Sequence, residues 1–186
     1  MHLAGSTILL VFILAMAAIA LLLLHLTKIG VLFHQQIPDR PHRRLLLASI
    51  SFFFTFLAAR LLVLSITHHV GPFGYVLVGG RHIHHLVWGI LLLLLCGYAT
   101  LAEAGTDDTP ISIFTSRLLS IGYGVGAALT LDEFAIWLNL DPNAYWSSQD
   151  RESIDAVILF GALLAIGTWG APVLRHLFRR SSRSNN

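Results

Sequence analysis

The chain has 186 residues, of which 55% are hydrophobic and only 12% are charged. Soluble proteins carry about 25% charged residues, so this composition excludes an ordinary water-soluble domain. The formal net charge is +2 and the isoelectric point is about 9.0. Membrane topology explains this basic surplus, so we expect no nucleic-acid partner.

Five apolar runs, taken in chain order, predict an all-α polytopic membrane helix bundle. Each run has about 19 to 22 residues, enough for a helix to cross the hydrocarbon core. No positive residue precedes the first run, and Lys28 follows it, so we expect a retained helix instead of a signal peptide. We expect one transmembrane domain over residues 1–180 and a disordered polar tail over 181–186. The predicted spans are 6–26, 45–66, 83–101, 113–131 and 154–174.

The distribution of Lys and Arg predicts how the five spans are oriented. Nine of the twelve fall on one side, two fall on the other, and Arg60 lies within the second span. Because Lys and Arg accumulate in cytoplasmic loops, the N-terminus is predicted outside and the C-terminus inside a prokaryotic cell membrane, with membrane lipids as partners. The nine predicted cytoplasmic residues are Lys28, Arg40, Arg43, Arg44, Arg117, Arg175, Arg179, Arg180 and Arg183.

This topology places histidines and carboxylates together on the outer face. The outer connections cover residues 67–82 and 132–153, next to the ends of spans two to five. Imidazoles combined with carboxylates suit one divalent ion such as zinc, manganese or iron. The predicted metal ligands are His82, His84, His85, Asp132, Glu133 and Asp155.

The spacing of these residues limits how many can reach one centre. His82 and His85 are three residues apart and share a helix face, whereas His84 points about 100° away from His85. Asp132 and Glu133 are adjacent and face different directions. The pattern is less specific than H-E-x-x-H. Plain hydrogen bonding to headgroups or loop carbonyls, haem ligation and a proton relay therefore stay open as alternatives.

Arg60 lies six residues before the outer end of span two, roughly 9 Å deep at the rise of an α-helix. A cation at that depth faces the bundle interior or extends toward the interface. We expect a structural salt bridge to an outer carboxylate, and an anion clamp for a lipid phosphate is the alternative. Arg151, which shares a helix face with Asp155, has the same two alternatives.

Small residues indicate where the helices approach one another. Gly122 and Gly126 form a G-x-x-x-G pair in span four, and Gly89 and Gly97 provide small positions in span three. Cys96 is the only cysteine, so an internal disulfide and a multi-cysteine metal motif are both excluded.

Two motifs carry a resemblance to a known group of proteins. I-H-H-L-V-W-G begins at Ile83, and L-D-E-F begins at Leu131. Together with Y-W and S-I-D-A-V further along, they make residues 82–157 similar to small prokaryotic integral membrane proteins. The resemblance implies kinship and brings no activity with it.

Three classes of function fit these observations. The first is a membrane metalloenzyme that acts on a lipid-like substrate with metal-activated water. The second is a transporter or ion-conducting protein, which is disfavoured because no acidic residue falls in the middle of a predicted span. The third is a non-catalytic subunit that binds a pigment, a haem or neighbouring helices in a larger complex or a homo-oligomer.

Overall fold

The computed structural model describes most of the chain from Arg40 onward. The described residues are 40–71, 84–141 and 148–170, with Leu26, Lys28, Val31, Ile37, Leu77–Val78, Arg81–His82 and Tyr145. Except for Leu26, the predicted first span lies outside these residues. So do the last four residues of the predicted fifth span and the polar tail.

The described residues form helices, which confirms the all-α class. A 3₁₀ turn, Ser148–Asp150, leads into the last α-helix, and a π-helical turn, Ile166–Gly170, follows it. Two-residue strands, β1 (Leu77–Val78) and β2 (Arg81–His82), pair antiparallel before the second helix. The α-helices are α1 (Arg40–Thr67), α2 (His85–Leu101), α3 (Pro110–Asp132), α4 (Phe134–Asn139) and α5 (Arg151–Ala165).

Among the described helices, α1 and α3 are the two that are long and apolar enough to cross a membrane. They have 28 and 23 residues, and α2 is a shorter apolar helix of 17 residues. The coarse prediction of an apolar helix bundle therefore holds, while the number of spans stays a prediction.

The helix boundaries differ from the predicted ones because local capping sets them. α3 begins at Pro110, three residues before the predicted start, since proline suits the first helical turn. The Thr109 side chain caps this turn by accepting a hydrogen bond from the backbone N–H of Ser112, 3.3 Å away. α2 begins at His85, two residues later than predicted, because His84 is still extended.

α3 is the central helix of the described bundle and packs between α1 and α2. A β-carbon on Gly124 would lie 2.2 Å from the carbonyl oxygen of Ala48, so α1 approaches on this side. On the other side, a β-carbon on Gly126 would lie 3.0 Å from the carbonyl oxygen of Gly89 in α2. The apolar core continues into α5, where Val157 and Leu164 pack on Phe52, Ala127 and Ala128.

α1 and α3 run parallel to each other and α2 runs antiparallel to both, so polar residues gather at two opposite ends of the bundle. At one end, the first turns of α1 contact residues 104–108 and the start of α3. At the other end, Arg60 of α1 meets the end of α3, the start of α2 and the turn before α5. The second group contains most of the residues predicted for the functional site.

Candidate functional site

The site is built around Asp132, the last residue of α3, whose side chain is fully buried. Arg60 of α1 donates from Nε to Asp132 Oδ1 over 2.5 Å. The same guanidinium reaches Asp150 through two bonds, of 2.6 Å and 3.1 Å, so it joins α1, α3 and the turn before α5. A buried carboxylate is costly unless it is paired and hydrogen-bonded, and Asp132 satisfies both conditions.

The second oxygen of Asp132 has two further partners. Tyr145 donates its hydroxyl to Oδ2 over 2.9 Å, and His85 Nε2 lies 2.9 Å from the same atom. Burial and the charge of Asp132 raise the pKa of the Tyr145 phenol far above its usual range, so the phenol keeps its proton and donates. The guanidinium of Arg60 also lies 4.5 Å from the centre of the Tyr145 ring, a cation–π contact.

Glu133 binds the start of α2, while its neighbour Asp132 bridges α1 and α2. Its Oε2 accepts a hydrogen bond from the backbone N–H of Leu86 over 2.9 Å, which places a negative charge at the N-terminus of α2. Its Oε1 lies 2.8 Å from His84 Nδ1 and 3.6 Å from His85 Nδ1. Both adjacent histidines reach Glu133 because His84 precedes the helix in an extended conformation, with φ −71° and ψ 146°.

These contacts produce an alternating series of carboxylates and imidazoles. It runs from Asp132 to His85, then to Glu133, and then to His84, with separations of 2.9, 3.6 and 2.8 Å. The Asp132 side chain has no exposure, whereas that of His84 is 28% exposed. The series therefore leads from a buried carboxylate to an imidazole that solvent reaches, and its middle contact, between His85 and Glu133, is an ion-pair distance longer than a hydrogen bond.

His84 lies outside α2, and its environment favours the protonated imidazole. The hydrogen bond with Glu133 is the main cause that raises the pKa of His84 above its usual value. Burial and the nearby His85 oppose this shift without cancelling it. A positioned imidazole that can accept and release a proton is a frequent acid–base group in catalysis.

The short helix α4 lies against α5 beside this site. The Ser153 hydroxyl accepts a hydrogen bond from the backbone N–H of Ala135 over 2.9 Å, and the serine is fully buried. Asn139 donates to a carboxylate oxygen of Glu152 over 2.5 Å. These bonds fix the path of the chain just after Glu133.

The structure brings together four of the six predicted metal ligands: His84, His85, Asp132 and Glu133. It does not bring in Asp155, whose side chain is 63% exposed and lies 3.6 Å from Arg151. The Arg151 side chain is 84% exposed and points to Asp155, although the preceding residue, Asp150, binds Arg60. The side chain of His82 lies outside the described atoms. Asp155 lies in the second turn of α5, on the surface of the helix that faces away from the site.

Asp150 and Tyr145 belong to the site, although the sequence did not assign them to it. Asp150 follows a connection whose path no sequence period fixes, and it reaches Arg60 from the turn before α5. Tyr145 has the sequence signal of an interfacial aromatic, a residue with an apolar ring and a hydroxyl that seeks a partner. Its partner is Asp132.

The metal ion stays a prediction. Within the described part of the chain, no group of three or more His, Cys, Asp or Glu side chains has the arrangement of a metal site. The imidazole nitrogens instead meet carboxylate oxygens at hydrogen-bond distances. This arrangement is directly suited to proton exchange.

The resemblance to small prokaryotic membrane proteins also stays a prediction. Comparisons with protein-family models, with curated proteins and with solved structures gave no match for this chain. The function is therefore inferred from the geometry of the site.

Proposed function

We propose that the protein is a multi-pass membrane enzyme that performs acid–base chemistry on a lipid-like substrate at the outer ends of its helices. The observation that carries this proposal is the connected series of two imidazoles and two carboxylates, with His84 at its exposed end. Positioned imidazole–carboxylate pairs are a recurrent means of moving a proton during catalysis.

The membrane placement rests on the surface as well as on helix length. Phe54 of α1, Leu94 of α2 and Leu159 of α5 are 65%, 65% and 75% exposed. Large apolar side chains on the outside of several helices suit contact with lipid tails. The Lys and Arg distribution then supports five spans in a prokaryotic inner membrane, with the N-terminus outside and the C-terminus in the cytoplasm.

In the proposed reaction, the neutral form of the His84 imidazole is the general base. Glu133 holds its Nδ1, which fixes the ring orientation and stabilises the imidazolium that forms when His84 accepts a proton. The proton comes from a water molecule or a substrate hydroxyl as that oxygen attacks an ester-type bond of the substrate. His84 then returns the same proton to the leaving oxygen, so the enzyme ends in its starting state.

The buried pair of Asp132 and His85 keeps His84 and Glu133 in position. Asp132 is held by Arg60 and Tyr145, and it binds the Nε2 side of His85. His85 in turn places its Nδ1 beside Glu133. Asp132 and His85 are therefore positioning residues, which keep Glu133 and the exposed His84 in register.

The test uses the purified full chain in vesicles made from a mixture of bacterial phospholipids and diacylglycerol. Mass spectrometry follows the appearance of products over time. We expect a product with the wild-type protein and its loss in His84→Gln, while Arg151→Gln retains it because the Arg151 side chain is 84% exposed and contacts Asp155, which lies outside the site. If the wild type forms no product from any of these lipids, or if His84→Gln is fully active, the proposal is wrong.

A second candidate function keeps the predicted divalent cation. Glu133 Oε1 lies within 2.8 Å and 3.6 Å of two imidazole nitrogens, and the surrounding cluster has three carboxylates for one arginine. A zinc, manganese or iron ion would offset this negative charge. The test is elemental analysis of gently purified protein: a 1:1 metal content that is lost in Glu133→Gln and kept in Asp155→Asn supports the cation, and the absence of stoichiometric metal removes it.

A further inference from the structure

The opposite end of the bundle carries a basic pocket that the proposed reaction does not use. It lies between the first turns of α1 and α3 and opens to solvent. Its polar lining consists of Arg40, Arg43, Arg44, Arg117, Ser116 and Ser120. Four guanidinium groups line this one opening between two helices.

Hydrogen bonds to neutral acceptors hold the Arg44 side chain in the wall of the pocket. Arg44 donates from Nε to the Ser116 hydroxyl over 2.7 Å. Its terminal nitrogen donates to the carbonyl oxygens of Gly105 and Ala104 over 2.9 Å and 3.3 Å. All three acceptors are neutral, so they fix the side chain and leave its positive charge.

Two further arginines sit at the rim. Arg43 donates to the backbone carbonyl of Ile37 over 2.8 Å. Arg40 pairs with Asp108, but that carboxylate is 98% exposed and solvent screens the pair. Backbone carbonyl oxygens therefore hold Arg40, Arg43 and Arg44 at the opening between α1 and α3.

We propose that this pocket binds a phosphate group, carried by an anionic lipid headgroup or free in solution. Arginine matches phosphate because its planar fork donates two parallel hydrogen bonds to two oxygens. In the predicted topology this end faces the cytoplasm, where basic pockets between membrane helices bind anionic headgroups.

The lipid arm of the test uses the delipidated full chain in phosphatidylcholine nanodiscs that contain a minor fraction of phosphatidylglycerol. Native mass spectrometry measures the phosphatidylglycerol retained per protein. We expect enrichment over phosphatidylcholine, reduced about fivefold in Arg117→Gln, since each arginine near the surface contributes attraction of that order. Arg151→Gln at the opposite end is the matched control and should retain wild-type enrichment.

The phosphate arm measures the unfolding temperature of the wild type in neutral detergent, with inorganic phosphate replacing chloride at constant ionic strength. Enrichment of phosphatidylglycerol identifies a lipid headgroup as the ligand. A rise of the unfolding temperature with phosphate, without lipid enrichment, identifies free phosphate. The proposal is overturned if neither occurs, or if Arg117→Gln behaves as the wild type in whichever arm is positive. If a variant fails to fold, the two wild-type measurements still show whether the pocket binds a phosphate group.

Discussion

At the scale of single residues, the chemistry is dominated by one fully buried carboxylate. Asp132 has no solvent exposure, and its side-chain oxygens are bonded to a guanidinium, an imidazole and a phenol. Removing one partner from such a group costs far more than the net contribution of the intact pair, because the remaining charge stays buried. The variants that remove a single partner therefore report directly on this site.

Replacing Arg60 with Leu should lower the free energy of unfolding by about 3–5 kcal/mol, the cost of leaving a buried ion without its partner. Two carboxylates lose their shared cation in this variant. The measurement is reversible unfolding in detergent. Arg151→Leu is the control, since its pair with Asp155 is exposed and should contribute little. An unchanged stability in Arg60→Leu would contradict the buried ion pair.

The His84–Glu133 contact predicts a pH dependence of stability. The folded-state pKa of His84 is raised above the usual 6.5, so the folded state binds the proton more tightly than the unfolded state. This contribution is fully present below pH 6.5 and is lost as pH rises through the folded-state pKa. In metal-free buffer, the difference in unfolding temperature between wild type and His84→Gln should therefore shrink with rising pH. A difference that is constant from pH 5 to 9 would contradict the assigned contact.

At the scale of secondary structure, the sequence predicts the helices better than their ends. The long apolar runs identify α1, α2 and α3, because helix length in a membrane follows from the bilayer thickness. The observed starts of these three helices differ from the predicted starts by two to five residues. Local features set them, such as the extended conformation of His84 before α2 and the proline at the start of α3. Gly122 and Gly126 were predicted as one packing pair, and the structure confirms that both face α2: a β-carbon on Gly122 would lie 2.8 Å from the Cys96 sulfur, and one on Gly126 would lie 3.0 Å from the Gly89 carbonyl oxygen.

Two glycines provide a matched test of helix packing. In Gly124→Ala, the new methyl group would lie 2.2 Å from the Ala48 carbonyl oxygen, so α1 and α3 must separate. We expect a loss of about 1–3 kcal/mol, typical of overpacking. In Gly97→Ala, no atom lies within 4 Å of the new methyl group, so stability should stay equal or rise slightly. Equal stability of the two variants in chemical unfolding would contradict the close contact of α1 with α3.

At the scale of the whole molecule, the sequence indicates that charges collect at two ends, and the structure shows which charges meet. Adjacent positions made His84, His85, Asp132 and Glu133 predictable as a group, because each borders an apolar run. Asp150 was not predictable as the partner of Arg60. It lies in the connection between α4 and α5, and no periodic sequence pattern predicts that this connection passes beside α1. Tertiary packing decides that contact.

The central claim is that the acid–base cluster faces outward and the arginine pocket faces the cytoplasm. Single cysteines at the exposed positions His68 and Asp107, in a Cys96→Ser background, test it directly. A membrane-impermeant maleimide applied to intact spheroplasts should label His68→Cys at once and Asp107→Cys only after lysis. Labelling in the reverse order, or labelling of both positions before lysis in sealed cells, would contradict the account.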